Sequence, residues 1–252
     1  MRFAAQQRVG RLRLYSCLCA LLCVTSAAAT SCFGQQVTVT GKIELYRDGI
    51  AQHQDSSDAV VWLTRLGDSG EPQVADGPPR QQLVQKNKSF QPHVLVVQVG
   101  VPVEFPNKDP FFHNVFSLFE GKRFDLGLYE AGSSRTVVFD REGISYIFCN
   151  IHSDMSGVVL AVKTPYYGTS DHRGAIAIPN VAFGRYEVRV WHERALPESL
   201  DALAHAILIS EASHSFGVLR LKEQRNTSQA HKNKYGRDYD NPTPAVPVYP
   251  HP

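Results

Sequence analysis

Downstream of residue 36 the chain alternates. Val37–Tyr46 reads VTVTGKIELY, with apolar side chains at every second position up to Leu45, apart from Gly41. A period of two puts those side chains on one face of a strand. Ala59–Arg65 (AVVWLTR) is shorter and β-branched. Further strand-like runs follow at Val94–Val99, Val103–Phe105, Val115–Phe119, Arg135–Phe139, Tyr146–Cys149 and Gly157–Val162, then at Ala175–Ile178, Arg185–His192, Ala206–Ile209 and Phe216–Leu221. Turn residues separate them, as in Gly67-Asp68-Ser69-Gly70, Gly77-Pro78-Pro79, Asn107-Lys108-Asp109-Pro110 and Asp171-His172-Arg173-Gly174. Many short strands with frequent turn signals predict an all-β protein built from sandwiches. One short helix is predicted, Pro197–Ala204, with proline at its start.

Both ends of the chain break this pattern. Arg2, Arg8, Arg11 and Arg13 precede an apolar stretch, Leu14 to Ala29, that exits through Ser26-Ala27-Ala28-Ala29. A basic start, an apolar middle and a small-residue exit read as a secretory signal peptide over 1–34, cleaved between Ala29 and Gln35. The stretch is shorter than the roughly 20 apolar residues of a membrane span. The expected location is therefore outside the cytoplasm, in the periplasm or cell envelope. Membrane attachment would require an uncleaved leader or lipidation of Cys32, and the large apolar residue usual three positions before a lipidated cysteine is missing. At the other end, 222–252 is poor in apolar residues and carries five prolines in its last eleven positions. Such a composition cannot offset chain entropy by burial, which predicts a disordered tail.

Composition adds two exclusions. A chain of 252 residues that is 43% hydrophobic and 20% charged is ordinary globular material for one large or two small domains. A formal net charge of +2, with no basic run interleaved with aromatics, argues against a nucleic-acid partner. No phosphate loop or dinucleotide fingerprint occurs, and Ser170-Asp171-His172 are consecutive in a turn, which cannot make a catalytic triad.

Cysteine usage is more informative. Of five cysteines, Cys17, Cys19, Cys23 and Cys32 lie in or at the edge of the leader, and Cys149 stands alone in the mature chain. An isolated cysteine in an oxidising compartment is a buried bystander, an intermolecular partner or a metal ligand. Cys149 opens Cys149-Asn150-Ile151-His152-Ser153-Asp154-Met155 at the end of a predicted strand, and His113 starts another after Pro110-Phe111-Phe112. Two imidazoles, a thiolate and a thioether are a soft donor set suited to copper, in a trigonal His₂Cys plane with a long axial methionine. Zinc is the rival ion, but structural zinc sites take four strong Cys/His ligands and three are grouped here. His93 reads as a core or rim histidine.

This combination resembles the cupredoxins, specifically plastocyanin-like proteins, in which the first histidine is followed by Asn-Val and a Cys-x-x-His loop with a methionine joins the last two strands. The resemblance covers about Gln81 to Lys163, and with it a copper domain over 81–164. It implies one copper ion held by His113, Cys149 and His152, with Met155 as axial ligand and Asn114 tying the two ligand loops together without touching the ion. The methionine departs from the family, because plastocyanins usually place it farther than two residues beyond the histidine. The closer spacing resembles the copper loop of cytochrome oxidase subunit II, whose binuclear site needs two cysteines, one more than this loop has.

A second resemblance flanks the first. Thr169–Val188, with its turn, Pro179-Asn180-Val181 and Gly184-Arg185-Tyr186, is similar to half of a carboxypeptidase-regulatory-like, transthyretin-type sandwich. The missing early strands of that family are matched by Val39-Thr40-Gly41 and by Ala59-Val60-Val61-Trp62-Leu63. The expectation is a discontinuous sandwich made of 37–66 and 168–221, with the copper domain inserted. The rival arrangement is tandem, with Val37–Arg65 adding strands to the copper domain.

The function these readings imply is periplasmic electron transfer through a mononuclear type 1 copper site, with a protein as redox partner. All strong ligands come from the chain, so no position is open to a substrate and no catalysis is expected. The alternatives are copper delivery or storage without redox cycling, an envelope interaction module with a secondary copper site, or an accessory subunit of a periplasmic oxidoreductase.

Overall fold

Eighteen strands and one short helix form among the residues that the structure, a computed structural model, describes: 35–47, 50–51, 55–67, 81–118, 121–224 and 231–239. In chain order they are β1 (Gln36–Arg47), β2 (Ile50–Ala51), β3 (Val60–Arg65), β4 (Gln81–Gln82), β5 (Val84–Lys86), β6 (Ser89–Gln91), β7 (Val94–Gln98), β8 (Pro102–Pro106), β9 (His113–Ser117) and β10 (Phe124–Tyr129). There follow β11 (Ser134–Val138), β12 (Gly143–Cys149), β13 (Ser156–Val162), β14 (Tyr167–Thr169), β15 (Ala175–Ala182), β16 (Gly184–Trp191), α1 (Pro197–Asp201), β17 (His205–Ile209) and β18 (Ser215–Lys222). The predicted leader and the cysteines within it lie outside the described residues. Among the described residues no helix is long and apolar enough to cross a membrane.

The strands make four main sheets, in the orders β15-β1-β18, β14-β3-β16-β17, β10-β9-β12-β13-β7 and β11-β8-β4, with a β5–β6 hairpin beside them. Strands early in the sequence pair with late ones. β1 lies between antiparallel β15 and parallel β18, and β3 lies between β14 and β16. The central segment from β4 to β13 closes its own two sheets. The protein is therefore all-β, with two sandwiches, one of them discontinuous in sequence.

Side-chain alternation sorts the core into three layers. In β3, Val61 and Leu63 point to one cluster with Ile43, Leu45, Ile178, Tyr186 and Leu221, while Val60 and Trp62 point to another. In β13, Val159 and Ala161 enter the core of the central sandwich with Phe105, Ile147 and Cys149, while Val158, Leu160 and Val162 face Val60 and Trp191. The sheet β14-β3-β16-β17 thus packs on the outer face of β7-β13-β12, and this apolar seam joins the two sandwiches. β7 (VLVVQ) is buried at every position because both its faces are covered.

Close packing also explains Gly41 in β1. A β-carbon there would run into the ring of Phe216, so the position takes only hydrogen.

Two expectations need correction. The helix ends at Asp201 rather than Ala204. The tail from residue 222 is not uniformly disordered. Lys222 completes β18, the Glu223 carboxylate is buried between Arg47 at 3.1 Å and Arg194 at 3.2 Å, and residues 231–239 pack on the Cys149 end of β12. These segments are fixed by hydrogen bonds, ion pairs and one stacked ring, which a reading of apolar content passes over. The rest of the tail lies outside the described residues.

Candidate metal centre

β9 and β12 pair antiparallel, with Cys149 opposite Val115. His113 is two residues before Val115 and so shares its face. This register brings a buried imidazole and a buried thiol together at one end of the central sandwich. The third donor comes from the loop after β12. That loop is drawn tight by Met155 N–H to the His152 carbonyl and Cys149 N–H to the Met155 carbonyl, both at 3.1 Å. Asn150 N–H donates to the Asn114 carbonyl at 2.9 Å and ties the loop to β9.

The result is a convergent trio. Cys149 Sγ lies 3.4 Å from His152 Nδ1 and 3.6 Å from His113 Nδ1, and one ligand atom from each residue lies within 4.8 Å of the others. The two imidazoles meet edge to face at 4.9 Å. His113 and Cys149 are fully buried and His152 is half-buried, so one ring reaches toward solvent. Burial pushes the His152 imidazole below its ordinary value, and the nearby Lys88 charge pushes the same way. The neutral ring that a metal requires is thereby favoured. Two imidazole Nδ1 atoms and one cysteine sulfur brought this close together fit a soft transition-metal ion.

Met155 is fully buried in the same core cluster as Cys149. Asn114 contacts two neighbouring segments. Its main-chain carbonyl makes the tie to the cysteine loop, whereas its side-chain amide donates to Asp125 on β10 at 2.7 Å.

One residue escaped the sequence reading. Asp109 sits in the turn before β9, buried, with Oδ2 2.9 Å from His113 Nε2. Its carboxylate also accepts the N–H of Asn87 at 2.6 Å and of Lys88 at 2.9 Å. Burial pushes this carboxyl up, but the hydrogen bonds from Lys88, His113 and Asn87 outweigh it and hold Asp109 below its ordinary value. An ionised Asp109 fixes the proton of His113 on Nε2 and leaves Nδ1 free for a metal. The signal was present as an aspartate four residues before the histidine, inside a segment read only as a turn.

The aromatics before β9 divide their roles. Phe111 packs against both imidazoles, with ring centres 5.3 Å from His113 and 5.6 Å from His152. Phe112 is 51% exposed.

No protein-family model and no curated protein matches the chain. Among solved structures, a purple cupredoxin from Nitrosopumilus maritimus is similar at 26% identity, over 32% of this chain and 99% of that one, with a TM-score of 0.30. A reduced amicyanin variant is similar at 22% identity, over 40% of this chain and 99% of that one, with a TM-score of 0.31. A copper-containing nitrite reductase from Thermus scotoductus is similar at 21% identity, over 47% of this chain but only 28% of the reductase, with a TM-score of 0.32.

Proposed function

We propose that this chain is an exported copper protein that carries single electrons through one ion held by His113, Cys149 and His152, with Met155 as a weak axial donor. The observation that carries the reading is the convergence of Cys149 Sγ and two imidazole Nδ1 atoms at a buried strand end. Copper bound there would supply one-electron chemistry. The chain's own residues do the rest. Asp109 holds the His113 ring in one tautomer, the Cys149–Met155 loop is braced from both ends, and burial of His113 and Cys149 keeps water away. A site that moves little between charge states suits electron transfer, and a filled donor set offers no position to a substrate.

The route outward in this reading is His152. Exposed apolar residues stand beside the ligand positions: Phe112 before His113, Ile151 before His152, and Leu128 across from Asn114. A small apolar surface of this kind fits brief docking of a redox partner protein. The flanking strands, 37–66 and 168–221, would form a carboxypeptidase-regulatory-like sandwich that carries the copper domain.

The test is copper titration of metal-free protein followed by visible absorption. Intense thiolate charge-transfer colour at one copper per chain, reversibly bleached by a reductant, is expected. Cys149→Ser should abolish it, and Met155→Leu should keep the ion while moving the band, because the axial contact is weak. A colourless complex, or colour that survives Cys149→Ser, would overturn the assignment. Coloured protein that cannot be cycled would leave copper delivery or storage instead.

A further inference from the structure

We propose that residues 231–239 are a positioning strap for the metal centre, in which Tyr239 and Lys234 clamp the two ligand-bearing segments together from outside. The proposal rests on the metal-binding reading of the site, but its first test needs no metal.

The strap has three anchors. Tyr239 Oη donates to the main-chain carbonyl of Cys149 at 2.6 Å. His231 Nδ1 lies 3.1 Å from the same hydroxyl. A carbonyl only accepts, so the hydroxyl proton goes there and the imidazole N–H donates to the phenolic oxygen. The second anchor is Lys234 N–H, which donates to Asn150 Oδ1 at 2.9 Å. The third is Lys234 Nζ, 2.8 Å from Asp125 Oδ2. Asp125 in turn accepts the amide of Asn114 at 2.7 Å. The strap therefore touches Cys149 itself, the residue after it and, through Asp125, the residue after His113.

The segment is folded rather than merely lying across the surface. Asn233 Oδ1 accepts the N–H groups of Tyr235 and Arg237 at 3.0 and 3.1 Å, and Asn233 and Arg237 also bond main chain to main chain at 2.9 Å. Gly236 supplies the left-handed backbone of that turn, at φ 74°. Beside it, the His231 ring stacks on Phe148 at 4.3 Å and 28°. Phe148 lies on the opposite face of β12 from Cys149, so the strap covers the outer face while the thiol points inward.

From within, the Cys149–Met155 loop is held by its own bonds and by Asn150 N–H to Asn114. Tyr239 fixes the remaining polar group of the Cys149 main chain, its carbonyl, and with it the peptide plane from which the Cys149 side chain is aimed. A thiol already 3.4 and 3.6 Å from two imidazoles needs little rearrangement to bind an ion. Without the strap, the same loop would sample conformations in which Sγ swings out.

The experiment uses the full chain without metal and reads iodoacetamide modification of Cys149 by the mass of its peptide. The thiol is 0% exposed, so the rate reports loop opening. Tyr239→Phe keeps the ring and deletes the hydroxyl's bonds to the Cys149 carbonyl and to His231, and modification about fivefold faster is expected. Lys234→Met should add to it in the double variant. Copper-loaded Tyr239→Phe should also shift the thiolate band while the melting temperature stays close to wild type, a change that loss of mere tail packing would not make. A wild-type modification rate and an unmoved band in Tyr239→Phe would overturn the strap. Failure of the wild type to develop colour with copper would instead overturn the copper reading, and the modification rates would still judge the strap.

Discussion

The sheet β10-β9-β12-β13-β7 is held in two ways. Along β7 and β13 its outer face is an apolar seam, where Val94, Val96, Val158, Leu160 and Val162 pack against Val60 and Trp191 of the neighbouring sandwich. At the ends of β9 and β12 it is held by directional bonds through Asp109, Asn114, Asn150 and the strap. The seam stabilises by area removed from water, which is large and indifferent to direction. The polar end contributes less per contact, about 1 kcal/mol for an ordinary hydrogen bond, but it sets where donor atoms sit. Stability and ligand placement are thus carried by different parts of one sheet.

The largest effect should come from the seam. Trp191 is almost fully buried there, and Trp191→Ala should cost about 3–5 kcal/mol, read as a lowered denaturant midpoint. The colour of copper-loaded protein should not change below the new midpoint, because the proposed ligands all lie between residues 113 and 155. Loss of colour before unfolding would mean that the seam also shapes the site, and the division drawn above would fail.

A smaller change in stability, with a direct effect on the ion, is expected at the polar end. Asp109→Asn leaves a single oxygen to serve three donors: the imidazole and the N–H groups of Asn87 and Lys88. Copper affinity should fall about 10- to 100-fold, measured by competition with a chelator. Unchanged affinity would show that packing by Phe111, rather than the carboxylate, orients the imidazole.

What could be read from the chain follows the same division. Alternation marked β1 and the β-branched run marked β3, because one face of each is apolar over several residues. The grouping of His113, Cys149 and His152 was legible because a soft set of residues sits at two strand ends. β10 was missed. Its sequence, FDLGLY, is broken by Gly127 at φ 68°, and the pairing with β9 slips between Asp125 and Leu128, so alternation fails. Asp109 and the strap were missed for a shared reason. Both act through directional polar contacts rather than through an apolar face, and neither leaves a periodic trace. Tyr239 meets Cys149 across 90 residues in a segment whose composition resembles disorder.

The smallest effect belongs to the rim of the seam, where a polar contact joins the two sandwiches. His93 Nε2 lies 2.6 Å from Glu193 Oε2, and both side chains are 39% exposed. The Glu193 hydrogen bond pushes His93 above its ordinary value against the opposing effect of burial, and the Glu193 and Asp58 charges add to the rise. The same bond holds Glu193 below its ordinary value, again against burial. A raised histidine gives its full stabilisation below the unfolded value of about 6.5 and loses it as pH rises through the folded value. A lowered carboxylate gives its own above about 4.3 and loses it as pH falls through the folded value. The pair should therefore contribute most near pH 5–6. Burial raises Asp58, but wild type and variant share that residue, so its direct contribution largely cancels in their difference. The melting-temperature gap between wild type and His93→Ala should be wider at pH 5.5 than at pH 8.5. Solvent screening at this exposure keeps the difference under about 1 kcal/mol, or roughly 2–4 °C for a chain of this size. A gap that is equal at both pH values, or wider at pH 8.5, would show that His93 contributes by packing at the rim and not by charge.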